Sequence, residues 1–338
     1  MTLSIDQIRK SIDEIDSKIL ELLTKRKELI REISIAKNKL SLTILDEKRE
    51  KEVLQRLIDK AEQSGLNKEF VNNLFEVILE NSRFEQCKQS INFKCNIKKI
   101  GLIGFGRFGE LIVKHLSSDF KFYVYDKVDK NEKIRKNSAI PSSLKEVCQK
   151  DITVLAVPIS ELGNTLKNIK NLLKKDSTVM DVCSVKEYPV KLMKNMLSKN
   201  VQILATHPMF GPDTASDSLY GRKIAMCKVR INDGLYTQIK EFFESKGLIV
   251  IETTSEEHDK EIAKSLILTH LIGRALVNMR ASNVDMDTQG YRNLVKILDT
   301  VKNDTWQLFK DMNNFNRFSK DVRDGFLKSI KEINSKLK

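Results

Sequence analysis

The chain has 338 residues, 41% of them apolar and 31% charged, enough for two or three domains that each bury a core. There is no run of about eighteen apolar residues and no apolar signal-peptide core in "MTLSIDQIRKSIDEID", so a cytoplasmic protein without a membrane partner is expected. The net charge of +13 comes mostly from lysines scattered over helix faces with no basic block interleaved with aromatics, which argues against a nucleic-acid partner.

All five prolines lie between Pro141 and Pro212, and the first hundred residues contain one glycine, Gly65. Residues 1–90 should therefore be an all-α bundle, with helices over about 4–40, 46–62 and 67–87 and turns near Ser41 and Gly65. In the first helix Ile5, Ile8, Ile12, Ile15, Ile19, Leu22, Leu29, Ile33, Ala36 and Leu40 recur at alternating steps of three and four, the spacing of a buried seam. Arg26 stands where an apolar residue is due. At 100° per residue, Lys37 lies about 20° from Arg26 on the helix surface, whereas Arg9 lies about 100° away and does not easily join the same site from within one copy. Asp46, Arg49 and Glu50 open the second helix. In the third, Ser82 and Gln86 continue the apolar line of Val71, Phe75 and Ile78. Polar groups on buried faces cost on the order of several kcal/mol unless paired, so the pattern predicts a net positive pocket for a small dianion.

From Ile100 short β-branched runs alternate with helical stretches: "IGLIG", "KFYVYD", "ITVLAVP", "STVMDVCS", "VQILATH", "KIAMCKV" and "LIVIET". This predicts a Rossmann-type, doubly wound α/β domain over residues 97–256. Gly104, Gly106 and Gly109 stand between the first strand and a helix, the spacing of a dinucleotide-binding turn. The second strand ends in Asp126, twenty-two residues after Gly104, where a carboxylate would receive an adenosine ribose and favour NAD over NADP. Ligands of such sheets sit at the carboxyl ends of the strands, which places Val157, Pro158, Ser184, Lys186 and His207 at the same rim. His207, stiffened by the prolines that follow, is the candidate base for a hydroxyl proton. The cysteines, at 87, 95, 148, 183 and 227, fall at no metal-ligand or redox-pair spacing; they read as reduced, with no metal expected.

Residues 257–338 return to helical periodicity without proline. "LTHLIGRAL" sets His270 and Arg274 one turn apart, either a carboxylate site or a surface pair.

"GFGRFG", "AVP", "DVCSVK" and "HPMFGPD", in this order, resemble prephenate dehydrogenase, and "THLIGR" with "DTQGYRNLVKILDTVKNDTW" is similar to the plant-type arogenate dehydrogenase branch. The resemblance implies oxidative decarboxylation of prephenate, or of arogenate, with a nicotinamide cofactor. It implies His207 as the base, Ser184 as its support, Arg274 or Arg292 on the side-chain carboxylate, and a helical tail that pairs subunits. Residues 1–90 resemble the all-helical chorismate mutases at eight positions. That likeness implies Arg9, Arg26 and Arg49 on carboxylates, with Arg9 from a partner subunit, Lys37 and Gln86 on the ether oxygen, Asp46 and Glu50 on the hydroxyl side, and Ser82 completing the pocket. Together they imply a bifunctional, homodimeric enzyme of tyrosine biosynthesis. Another reading is an NADH-sensing regulator with a non-catalytic helical domain; a DNA-reading domain of that kind would need Arg26 and Lys37 on an exposed face.

Overall fold

A computed structural model of the chain describes residues 4–39, 46–89 and 97–337. The turn expected near Ser41, Leu40 of the apolar row, and Cys95 lie outside the described residues. The chain divides into two units, one of Met1–Lys94 with Glu241–Leu248 and the other of Cys95–Lys240 with Ile249–Lys338. No described helix is long and apolar enough to cross a membrane.

Three helices make up the first stretch: α1 (Ile5–Lys39), α2 (Glu47–Gln63), which Asp46 caps by accepting a hydrogen bond from the Arg49 backbone N–H at 3.0 Å, and α3 (Lys68–Gln89). Gly65 turns the chain between α2 and α3 at φ +70°, and α3 packs against both α1 and α2. The apolar row of α1 is not buried in the single chain: from Ile5, 70% exposed, to Ile33, 44% exposed, it faces solvent. α3 meets α1 at Arg26 and Ser34, and even there Leu22, Leu29 and Ile33 of the row stay exposed.

The second unit is built on one eight-stranded sheet, with strands β1 (Lys99–Ile103), β2 (Lys121–Tyr125), β3 (Ile140–Pro141), β4 (Ile152–Leu155), β5 (Thr178–Asp181), β6 (Gln202–Pro208), β7 (Lys223–Arg230) and β8 (Ile249–Glu252). Their order is β3-β2-β1-β4-β5-β6-β7-β8. The helices α4 (Arg107–Leu116), α5 (Asn131–Lys136), α6 (Leu144–Cys148), α7 (Leu162–Ile169), α8 (Glu187–Met196) and α9 (Asp233–Ser245) fall between strands. Ile103, Leu155, Val179 and Ile203 from the sheet bury themselves against Leu162, Leu166 and Met193. Each such side chain contributes about 1.5–3 kcal/mol of burial.

Two features depart from the alternation of the sequence. β3 is a two-residue strand at the edge, and β7 runs antiparallel to β6, with His207 opposite Ala225. Residues 209–222 contain no helix, so the chain turns back beside β6 instead of crossing the sheet to pair in parallel.

The remaining helices are α10 (Ser255–Ile262), α11 (Leu268–Asn278), α12 (Gln289–Val295), α13 (Ile297–Val301), α14 (Trp306–Asn314) and α15 (Ser319–Ser335). A capping box of Thr254 and Glu257 starts α10. A π-helical turn at Ala263–Ile267 joins α10 to α11.

Candidate active sites

In the helical stretch Arg26 of α1 is half-buried and its Nη1 donates to Ser82 Oγ of α3, which in turn donates to the Ile78 carbonyl at 2.6 Å. Burial holds the Arg26 guanidinium below its usual pKa. Gln86 is buried one turn beyond Ser82, and its backbone carbonyl accepts the hydroxyl of buried Ser34, one turn before half-buried Lys37. Four predicted residues thus lie on the faces of α1 and α3 that meet. Glu50 of α2 pairs with Arg83 at 3.4 Å, whereas Asp46 and Arg49 are exposed and Arg49 reaches Glu52 at 3.8 Å. Arg9 is exposed beside Asp6, and seventeen residues of helix set it about 25 Å from Arg26. Ser34 and the buried carboxylate Glu85, which faces Lys27 at 3.5 Å, gave no signal in the sequence beyond helical spacing.

The glycine turn follows β1, beside the point where the strand order reverses between β1 and β4. Gly104 has φ +98°, and a Cβ there would sit 2.3 Å from the Ala156 carbonyl; one on Gly109 would sit 2.2 Å from the Gly104 carbonyl. Only glycine permits that closeness of turn and helix. Gly104→Ala is therefore expected to destabilise this unit by about 3 kcal/mol, read as a lower urea midpoint at unchanged slope. At Gly106, the residue before α4, a Cβ would meet nothing within 4 Å: the backbone there faces open space at a helix N-terminus, which suits a pyrophosphate. Half-buried Val157 lines the same turn, its Cγ1 3.2 Å from a Cβ built on Gly104, and Pro158 is exposed beside it.

Asp126 closes this cradle. Its Oδ2 accepts from the Phe105 N–H at 2.7 Å and from Lys130 Nζ at 2.9 Å, and its Oδ1 accepts from the Val128 N–H at 2.9 Å. Burial alone would raise its pKa, but these bonds outweigh that and hold the carboxyl below its usual range. Lys130 also donates to the Phe105 carbonyl at 3.0 Å, while Lys127 points to Glu161 at 3.3 Å.

At the carboxyl ends of β5 and β6 the side chains are buried. Lys186 is fully buried, donating to Asp181 and to the Thr206 carbonyl at 2.6 Å. The Ser184 hydroxyl is buried with no hydrogen-bond partner among the described residues. His207 Nδ1 lies 2.9 Å from His258 Nε2, and His258 Nδ1 lies 2.8 Å from Asp259 Oδ1. Burial, His258 and Lys186 keep His207 well below the usual value of 6.5, so it is neutral at physiological pH. A neutral imidazole at the end of a strand, beside an unpartnered hydroxyl and near a dinucleotide cradle, can take a proton while hydride leaves.

The loop after His207 is tied to the helix of the glycine turn. Arg107 Nη2 meets Asp213 Oδ1 at 2.6 Å and its Nη1 donates to the Asn303 carbonyl at 2.9 Å; Lys114 donates to the Ser216 carbonyl at 2.6 Å. In the tail, His270 is buried and stacked on Phe309, with Nε2 3.6 Å from Asp304. Arg274 donates to the Asp304 carbonyl at 2.5 Å and lies over Trp306 and Phe309. The pair is therefore not a surface pair. Arg292 is exposed, and its partners Asp287 and Gln289 belong to its own segment. The sequence offers both arginines by motif alone; the packing sets Arg274 half-buried against Trp306 and Phe309.

Residues 8–86 match the family model of chorismate mutase type II, and residues 122–252 match the nucleotide-binding domain of prephenate dehydrogenase. The chain joins a chorismate mutase domain to a prephenate dehydrogenase domain. Residues 275–338 match a third model, the TYRAAT1-like C-terminal domain. A curated relative, arogenate dehydrogenase 2 of Arabidopsis thaliana, is 29% identical over 233 residues, 66% of this chain and 65% of its own length, just under two thirds. The T-protein of Haemophilus influenzae is 25% identical over 272 residues, 79% of this chain and 68% of its own. Among solved structures, prephenate dehydrogenase from Aquifex aeolicus, in complex with hydroxyphenyl propionate and NAD+, superposes with a TM-score of 0.57 at 22% identity, covering 72% of this chain and 91% of that one, which shows the fold.

Reading the sequence missed His258, Asp259, Arg107 and Asp213. The dipeptide His258-Asp259 was visible at the start of α10, one turn after Thr254, but nothing in its spacing tied it to His207, 51 residues away.

Proposed function

We propose that the chain is a cytoplasmic bifunctional enzyme that rearranges chorismate to prephenate and then oxidatively decarboxylates prephenate to 4-hydroxyphenylpyruvate with NAD. The observation that carries this reading is the presence of both domains in one chain, where the product of the first reaction is the substrate of the second. In the mutase site, Arg26 and Arg49 hold the carboxylates, Lys37 and Gln86 address the ether oxygen, Asp46 and Glu50 meet the hydroxyl side, and Ser82 orients Arg26. The rearrangement is pericyclic and needs no proton transfer, so these donors act by selecting the compact conformer and stabilising charge on the breaking ether bond. The partner subunit's Arg9 completes the carboxylate contacts. The exposed row of α1 and the apolar residues of α15, Leu327, Ile330 and Ile333, are the surfaces a homodimer would cover.

In the dehydrogenase site, Gly104, Gly106 and Gly109 admit the pyrophosphate to the N-terminus of α4, and Asp126 receives the ribose. Its carboxylate disfavours a 2′-phosphate, and Lys130, paired with it, softens that preference. Val157 and Pro158 border the cofactor. A nicotinamide held there would supply the acceptor for the hydride that leaves C4 of the ring. His207 draws the hydroxyl proton, Ser184 supports the same oxygen, and aromatisation drives loss of the ring carboxylate as carbon dioxide. His270 and Arg274 form the candidate end for the side-chain carboxylate, with Arg292 as the other choice. The alternative is that the second activity acts on arogenate, a reading favoured by the likeness to arogenate dehydrogenases 1 and 2 of Arabidopsis thaliana.

A coupled assay tests the reading. Purified chain given chorismate alone should consume it, and addition of NAD should then produce NADH. Persistence of chorismate removes the mutase assignment; NADH formed only after prephenate is transaminated makes arogenate the second substrate.

A further inference from the structure

Asp259 receives two backbone N–H groups at the start of α8, that of Lys186 at 2.6 Å on Oδ1 and that of Glu187 at 2.9 Å on Oδ2. A carboxylate so engaged is an acceptor only, so His258 Nδ1, 2.8 Å from Oδ1, carries a proton. Burial opposes a second proton on His258, with Lys186 adding to that and Asp259 and Asp181 working against it, and the net effect is to lower its pKa. Its Nε2 is then a bare acceptor. His207 Nδ1, 2.9 Å from that nitrogen and edge-on to the His258 ring at 76°, must be the donor. The proton on Nδ1 leaves Nε2 of His207 with its lone pair. Asn316 Nδ2 holds the Asp259 carbonyl at 2.7 Å, which fixes the turn of α10 from which both residues project.

We propose that Asp259 and His258 are positioning residues that lock His207 in its Nδ1–H tautomer, so that Nε2 is the atom that takes the substrate's hydroxyl proton. For the identity of that substrate the proposal rests on the dehydrogenase reading; for the tautomer it does not. The wrong tautomer would present an N–H to the hydroxyl and could not act as base. This is the logic by which an aspartate orients the histidine of a serine-protease triad, here extended by one imidazole.

The chain has only four histidines, at 115, 207, 258 and 270, so the nitrogen spectrum of full-length protein labelled with 15N-histidine can be assigned with His115→Gln and His270→Gln. His207 is expected to be protonated on Nδ1 and bare on Nε2. In Asp259→Asn the new amide can donate to His258 Nδ1, which reverses both rings; kcat for prephenate or arogenate oxidation should fall about 10³-fold with KM within about threefold, and chorismate turnover should hold. His258→Gln keeps an acceptor for His207 and a donor for Asp259, so it should retain kcat within about tenfold, whereas His258→Leu should fall with Asp259→Asn. His207 protonated on Nε2 in the unaltered chain overturns the proposal, as does equal loss in His258→Gln and His258→Leu. If Asp259→Asn does not fold, the His258 pair decides. An unaltered chain that oxidises neither substrate overturns the dehydrogenase reading, and the spectrum still decides the tautomer.

Discussion

Arg26→Ala is expected to lower chorismate turnover by about 10³-fold while oxidation of supplied prephenate stays within about twofold. The guanidinium is half-buried and already oriented by Ser82, so it loses little freedom when it grips a carboxylate. Removing it would leave a substrate carboxylate without a half-buried partner, which costs more than the same contact would at a fully exposed surface. Arg26→Lys should recover only part of the activity, since a lysine offers a point charge where the arginine offers a planar fork. The effect should appear in KM to the extent that Arg26 holds the carboxylate equally in ground and transition states, and in kcat to the extent that it selects the compact, reactive conformer. Chorismate loss and NADH formation from prephenate, followed separately on the same preparation, check this. Loss of both activities together with helical signal would make Arg26 a structural residue.

His207→Asn is expected to reduce prephenate oxidation by about 10³- to 10⁴-fold and leave chorismate turnover unchanged. Asparagine keeps some polarity against His258 but has no basic nitrogen. The pH dependence gives an independent reading. Burial, His258 and Lys186 hold His207 well below 6.5, so the imidazole is in its working form throughout neutral pH and the acid limb of kcat should fall below pH 6.5. The same shift has a sign for stability. Below pH 6.5 the unfolded chain binds a proton that the folded chain refuses, so stability contributed here is present above that pH and is lost as pH falls through and below it. His207→Asn should flatten that part of the stability curve. A limb unchanged by the substitution would mean that another group controls it.

Much of the candidate nucleotide site was legible in the sequence, because backbone constraints act over short stretches. The spacing of Gly104, Gly106 and Gly109 reports a turn that a Cβ would block at two of the three positions, and Asp126 is one βαβ step away along the chain. Helical periodicity was equally local: α1, α2 and α3 run over the predicted stretches within about two residues, and Ser82 and Gln86 proved to face inward. The eight-position likeness in the first ninety residues was readable for the same reason, since each residue stands at a fixed helical offset from its neighbours.

What periodicity could not decide was which faces meet. It marked the row from Ile5 to Ile33 as a seam, but a row is buried only where another element packs on it, and α3 meets α1 at Arg26 and Ser34 while leaving that row exposed. It could not show that the chain folds back after His207 to set β7 antiparallel, nor that Arg107, within the glycine turn, would hold Asp213 of the loop beyond His207. The His207–His258–Asp259 chain is the sharpest case. Each member is an ordinary residue in its own stretch, and their chemistry arises only when α10 packs against the ends of β5 and β6, where burial removes the water that would otherwise compete for every one of those hydrogen bonds. Amino-acid order determined the elements, their faces and the residue types on offer; tertiary packing decided which of those groups share a dry space, because hydrogen-bond direction and desolvation depend on neighbours in space that spacing along the chain does not encode.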